Sequence, residues 1–129
     1  MTDGHEDRID TLKRLMCEIT PENINSVRVH EQKSHTYSLL GFIMHTLYLS
    51  FEVDIQYIVQ IIERCCNMGA DPNVLMYVEQ GGQEFYTVYE FIIMISNLRV
   101  YPKDIMSKLE DRLKGEGGVI RPIHASILA

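Results

Sequence analysis

The stretch IIERCCNMGADPNVLMY, Ile61 to Tyr77, decides how this chain folds. It closes the clearest amphipathic run in the sequence. Ile55, Ile58, Val59 and Ile62 recur at helical spacing and Cys66 continues the stripe, while Gln56, Gln60, Glu63 and Asn67 face away. Asp54 stands at the N-cap position. Gly69 stands where a helix ends in a left-handed residue, and Pro72 forbids continuation. The cysteine doublet, Cys65 and Cys66, invites a redox or metal reading. Adjacent helical residues point about 100° apart, so the two thiols are badly placed for a mutual disulfide. No second Cys-x-x-Cys accompanies them, which disfavours zinc. The remaining reading is packing, with each cysteine acting as a small hydrophobe.

Upstream, Tyr37 to Leu49 is apolar nearly all round and predicts a helix buried on most sides; Gly41 within it points to close approach of a neighbour. Residues 23–36 lose the helical period and read as a polar loop or short hairpin. Residues 3–18 predict a first helix with Leu12, Leu15, Met16 and Ile19 inward, Cys17 in the core and Asp3 as cap; Thr20-Pro21-Glu22 opens a short turn of helix. Downstream, residues 74–86 suggest a hairpin around Gly81-Gly82. Thr87 and Glu90 form a capping-box signature before a helix reaching about Leu98. Pro102 opens another amphipathic helix, with Ile105, Met106, Leu109 and Leu113 inward. Gly115, Gly117 and Gly118 end it.

The order repeats. Tyr37 laid on Tyr86, 49 residues on, places YSLLGFIM over YTVYEFII, and Asp54-Ile55 falls over Asp104-Ile105 at a shift of 50. IIERCCNMGADPN resembles the second half of an ankyrin repeat. RPIHASILA, Arg121 to Ala129, is similar to the Thr-Pro-Leu-His-x-Ala opening of the next one. Of that tetrapeptide, only Leu39 and Val88 stand in the two inner units. The resemblance implies an all-α, ankyrin-like solenoid of helix pairs with finger loops. It would divide the chain into a degenerate first helix and finger (1–36), two repeats (37–85 and 86–120) and the start of a further one (121–129). It also implies that the doublet faces the next repeat and that His124 is a structural histidine bonded to nearby backbone. Other small helical bundles, of death-fold or Bcl-2-like type, are the alternative.

At 129 residues and formal charge −6, the chain is one domain without the clustered Lys and Arg of a nucleic-acid footprint. No apolar run approaches the ~20 residues of a membrane span, and the charged start MTDGHEDRID is no signal peptide. Three cysteines make a poor disulfide framework, so an intracellular, cytoplasmic or nuclear, setting is expected. His5, His30, His35, His45 and His124 are scattered. His30, Glu31 and His35 share a loop but read as ordinary polar residues, and His45 as a core histidine. No phosphate-binding loop, nucleophile elbow or zinc-protease motif occurs. Glu110 and Asp111 lie on a solvated face. The expectation is a binding module, not an enzyme, with no cofactor and no metal; a small enzyme without a recognisable motif is the contrasting class.

The resemblance implies a protein partner held by the concave helical face and by fingers at 25–36 and 74–85. The expected partner-binding residues are Met76, Tyr77, Phe85 and Tyr86, with Arg28 and His30 as a polar rim. A finger that packs only on its own neighbours is the plainer reading. Ala129 stops inside what reads as an opening helix, so the expectation is either a piece of a longer protein or an apolar end that pairs two copies.

Overall fold

Residues 4–31, 35–49, 54–77 and 86–128 are described by a computed structural model. They form α1 (Gly4–Glu18), β1 (Arg28–Glu31), β2 (His35–Ser38), α2 (Leu39–Leu49), α3 (Ile55–Asn67), α4 (Val88–Asn97), α5 (Lys103–Gly115) and α6 (Pro122–Leu128). Asp3, Lys33, Val78, Gly81-Gly82 and Phe85 lie outside the described residues.

The helix ends are set by local chemistry. Asp54 caps α3, its carboxylate accepting from the backbone N–H groups of Gln56 and Tyr57. Thr87 and Glu90 form the reciprocal capping box of α4. Ser38 Oγ accepts from the Gly41 N–H at 3.0 Å and donates to the Leu75 carbonyl at 2.9 Å, capping α2 while tying it to a distant segment. α3 ends in a left-handed Gly69 at φ 92, with the Ala70 N–H on the Cys65 carbonyl and the Gly69 N–H on the Cys66 carbonyl. That double bond pattern satisfies the orphan carbonyls of a helix end. α5 repeats it 48 residues later: Gly117 at φ 103, Gly118 N–H to Leu113, Gly117 N–H to Lys114. α4 ends differently, with Arg99 at φ 59 where glycine would fit without strain. A side chain there costs roughly 1 kcal/mol.

An asparagine braces each of the two glycine turns. Asn25 donates to the Gly69 carbonyl (3.0 Å) and accepts from the Asp71 N–H (2.7 Å). Asn73 does the same to Gly117 (2.8 Å) and Val119 (3.0 Å).

β1 and β2 pair antiparallel, with Val29 opposite Tyr37 and both buried. The segment around Met76 continues the pairing. It bridges Tyr37 to Tyr77 on one side and Leu75 to Thr87 on the other. α2 packs on α3 and on α4, α4 on α5 and α6, and α3 on α5; α1 packs on α2. The helices therefore lie in two layers, α2, α4 and α6 in front and α3 and α5 behind. Leu39, Ile43, Met44, Leu47, Ile58, Ile62, Ile92, Ile95 and Met106 are all but fully buried between them. Each such side chain contributes roughly 2 kcal/mol of burial free energy.

Several expectations need correction. The molecule is not all-α: of the loop or short hairpin expected over residues 23–36 the hairpin forms, and its second strand takes in Tyr37 and Ser38, expected as helix, so that Val29 and Tyr37 join the core. The spacing of the helices also departs from the expected ankyrin-like solenoid. A solenoid stacks units of one length, whereas α2 begins at Leu39, α4 49 residues later at Val88 and α6 only 34 later at Pro122. The second helices align at 48, Ile55 over Lys103, so Asp104 sits inside α5 and is not the counterpart of the Asp54 cap. Cys17 is exposed, because it lies one residue beyond the inward Met16.

The doublet is buried, Cys65 at 0% and Cys66 at 3% exposure, and all three thiols are free. Burial pushes the Cys65 thiol up to about 12 and also raises Cys66, against the nearby Arg112. Ellman's reagent at pH 8 should therefore titrate one thiol, Cys17, in the native protein and three in guanidinium. Rapid native titration of more than one contradicts the packing role.

Candidate functional site: an aromatic row across three helices

Seven rings follow one another across the front layer. Tyr77 lies 5.2 Å from Tyr37, Tyr37 5.1 Å from His45, and His45 6.4 Å from Tyr48. Tyr48 meets Phe91 edge-on at 5.5 Å, Phe91 meets Tyr86 at 6.1 Å, and Tyr86 lies 4.5 Å from His124. The row thus runs from the Met76 segment over α2 and α4 to α6. Helical spacing creates it: residues 45 and 48 are three apart and share one face of α2. Tyr37, Phe91 and His124 are buried and hold the row in place, while His45, Tyr77 and Tyr86 are half-buried and Tyr48 is 40% exposed.

Each end is anchored by a buried charged side chain, Arg8 at one and Glu90 at the other. At the α2 end, Arg8 donates to Thr46 Oγ1 (3.1 Å) and to His45 Nδ1 (3.0 Å), and its guanidinium lies 4.7 Å from the Phe42 ring centre. A guanidinium only donates. His45 Nδ1 therefore accepts, the ring is neutral and its proton sits on Nε2. The Tyr37 hydroxyl also lies 3.1 Å from Nδ1.

At the α6 end, Glu90 is fully buried. Its carboxylate accepts from the Thr87 N–H (2.9 Å), the Arg121 N–H (2.7 Å), the Arg121 guanidinium (2.8 Å) and His124 Nδ1 (2.9 Å). Desolvation alone would raise its pKa. The hydrogen bonds from Arg121, the backbone and His124 outweigh it and bring the carboxyl down to about 2. The ionised carboxylate fixes the proton of His124 on Nδ1. His124 was expected to bond to nearby backbone; its Nδ1 meets the Glu90 side chain, because α6 packs against the first turn of α4.

Charge is segregated between the layers. α2 contains no Asp, Glu, Lys or Arg, α6 none either, and α4 only the buried Glu90. Behind, α5 alone carries Lys103, Asp104, Lys108, Glu110, Asp111, Arg112 and Lys114.

Of the expected binding residues, Tyr77 and Tyr86 lie in the row. Met76 does not line a surface: at 1% exposure it is core, because its backbone is held between Ser38 and Tyr86. Phe85 lies outside the described residues. Arg28 and His30 are exposed on β1. The Arg28 guanidinium is used on the Asn25 and Val27 carbonyls (both 3.2 Å), and His30 Nδ1 on the Thr36 hydroxyl (2.9 Å). Tyr48, His45 and Phe91 were missed. Their signal was the His-x-x-Tyr spacing on α2; joining it to Phe91 required the packing of α2 on α4.

Among the described residues, no three His, Cys, Asp or Glu are grouped to hold a metal ion, and no helix is long and apolar enough to cross a membrane. No protein-family model, curated protein or solved structure matches the chain.

Proposed function

We propose that this protein is a non-catalytic protein-binding module whose front layer, the aromatic row, is the recognition surface. The observation that carries the reading is the two-faced distribution of side chains: a front layer whose helices carry no exposed Asp, Glu, Lys or Arg and across which the tyrosines of the row lie, and charged helices behind. Tyrosine is favoured in interface cores because it offers a large rigid area and a hydroxyl for hydrogen bonding, while Lys and Glu are depleted there. A reducing, intracellular setting, in which the thiols remain free, belongs to the same proposal.

The test is positional cross-linking. A photoreactive benzoylphenylalanine replacing Tyr48 or Tyr86 should capture one partner in cell extract, and the same probe replacing Lys108 on α5 should not. Tyr48→Ala combined with Tyr86→Ala should reduce capture by a remaining front probe at His45 at least tenfold, with the helical circular dichroism unchanged. Capture from Lys108 alone rejects the assignment of the face. A captured second copy of the chain would identify the partner as itself, a reading favoured by Val119 and Ile123 at 56% and 57% exposure.

A further inference from the structure

A second surface lies at the end of the molecule where α2 and α4 finish side by side. The Tyr101 hydroxyl donates to the Leu47 carbonyl and joins the turn after α4 to the last turn of α2. Beside it opens a cleft of about 600 Å³ lined by Ser96, Asn97, Arg99, Tyr101 and Lys103. That volume is within the range of sites that bind small ligands or peptide segments, roughly 300–1,000 Å³.

Two features give the cleft a preference. Its charge is opposite to that of the chain, which is −6 overall. Elsewhere Arg14 is paired with Glu18, Arg112 with Glu116 and Arg121 with Glu90. Arg99 and Lys103 form no ion pair among the described residues, and Asp104, although adjacent in sequence, does not line the cleft. Exposed apolar residues are neighbours of the lining residues along the chain: Leu98 (47%) and Val100 (43%) flank Arg99, and Leu49 (55%) stands two residues beyond Leu47, whose carbonyl Tyr101 reaches. Arg99 itself occupies a left-handed conformation that glycine would adopt freely, so its side chain is there despite the backbone.

We propose that this cleft binds a short acidic, apolar segment of a partner protein, its carboxylates on Arg99 and Lys103 and its aliphatic side chains on Leu49, Leu98 and Val100. Carboxylate recognition by a guanidinium supplies direction, and contact with the exposed apolar residues that flank Arg99 would distinguish a peptide from a free anion. This site is separate from the aromatic row and does not rest on it.

The test uses the full chain and fluorescence anisotropy with two labelled peptides, Leu-Asp-Leu-Glu-Leu and its uncharged counterpart Leu-Asn-Leu-Gln-Leu. The acidic peptide should bind at least tenfold more tightly. Arg99→Gly should weaken it at least tenfold while leaving the melting temperature equal or higher, since glycine suits φ 59; Lys103→Gln should weaken it at least threefold. Equal binding of the two peptides, no binding of the acidic one, or unchanged affinity in Arg99→Gly would each overturn the proposal. So would displacement by inorganic phosphate at concentrations equal to the peptide, which would mean a simple anion site. Binding to phosphatidylserine vesicles without peptide binding would mean a membrane contact and would equally overturn it.

Discussion

Replacing Glu90 by alanine should lower the unfolding free energy by about 3–5 kcal/mol, the cost of removing one partner from a buried ion pair. Three losses coincide. The Thr87 N–H at the start of α4 loses its capping acceptor, Arg121 loses its carboxylate, and buried His124 loses the acceptor of its Nδ1 proton. Since α6 meets α4 at this carboxylate, α6 should detach first. Urea denaturation followed by far-ultraviolet circular dichroism at pH 7 measures the loss, and amide exchange at His124 locates it. A change below about 1 kcal/mol would show that the cluster is not a structural anchor. The same group sets an acid response. Its folded pKa lies below its ordinary value of 4.5, at about 2. Stability from this site is therefore complete above about pH 4.5 and is lost as the pH falls toward 2. In Glu90→Gln that portion of the acid dependence should vanish.

The second large effect concerns Gly41. In an open helix, Gly→Ala gains about 1 kcal/mol of helix propensity. Here a methyl group would stand 2.5 Å from the Met76 carbonyl oxygen, 2.9 Å from Met76 Cα and 2.8 Å from Ser38 Oγ. Two of the three atoms are backbone, held by the Ser38 N–H on the Met76 carbonyl and the Met76 N–H on the Tyr86 carbonyl. They cannot rotate away. Overpacking of this kind costs about 1–3 kcal/mol and more where backbone must shift, so Gly41→Ala should destabilise by roughly 2 kcal/mol net. Gly115→Ala, with nothing within 4 Å of the added carbon, is the control and should be neutral or slightly stabilising. Thermal unfolding of both variants decides; stabilisation by Gly41→Ala would mean that the Met76 segment does not sit against α2.

Much of the local structure was legible in the residues because its causes are local. A carboxylate at Asp54 reaches two N–H groups of its own first turn, Thr87 and Glu90 serve one another, and Gly69 can take a left-handed turn that few other residues tolerate. The burial of the cysteine doublet followed from the stripe it continues. Cys17 was misread because a residue at the edge of an amphipathic face can lie on either side of the boundary. Met76 was misread because apolar finger residues look alike whether they face a partner or a neighbouring strand.

The chain alone thus determined the helix positions, their caps and turns, and which faces are apolar, all consequences of interactions spanning a few residues. Only the tertiary structure decided that the loop before α2 is a sheet and that Glu90 is shared by Arg121 and His124. It also decided that seven rings, from the Met76 segment, β2, the residue before the α4 cap and three helices, make one row. The links of Glu90 to Arg121 and His124, and of Tyr37 to Tyr77, Tyr48 to Phe91 and Tyr86 to His124, join residues 30 or more positions apart, and long-range packing, which no local periodicity encodes, selects them.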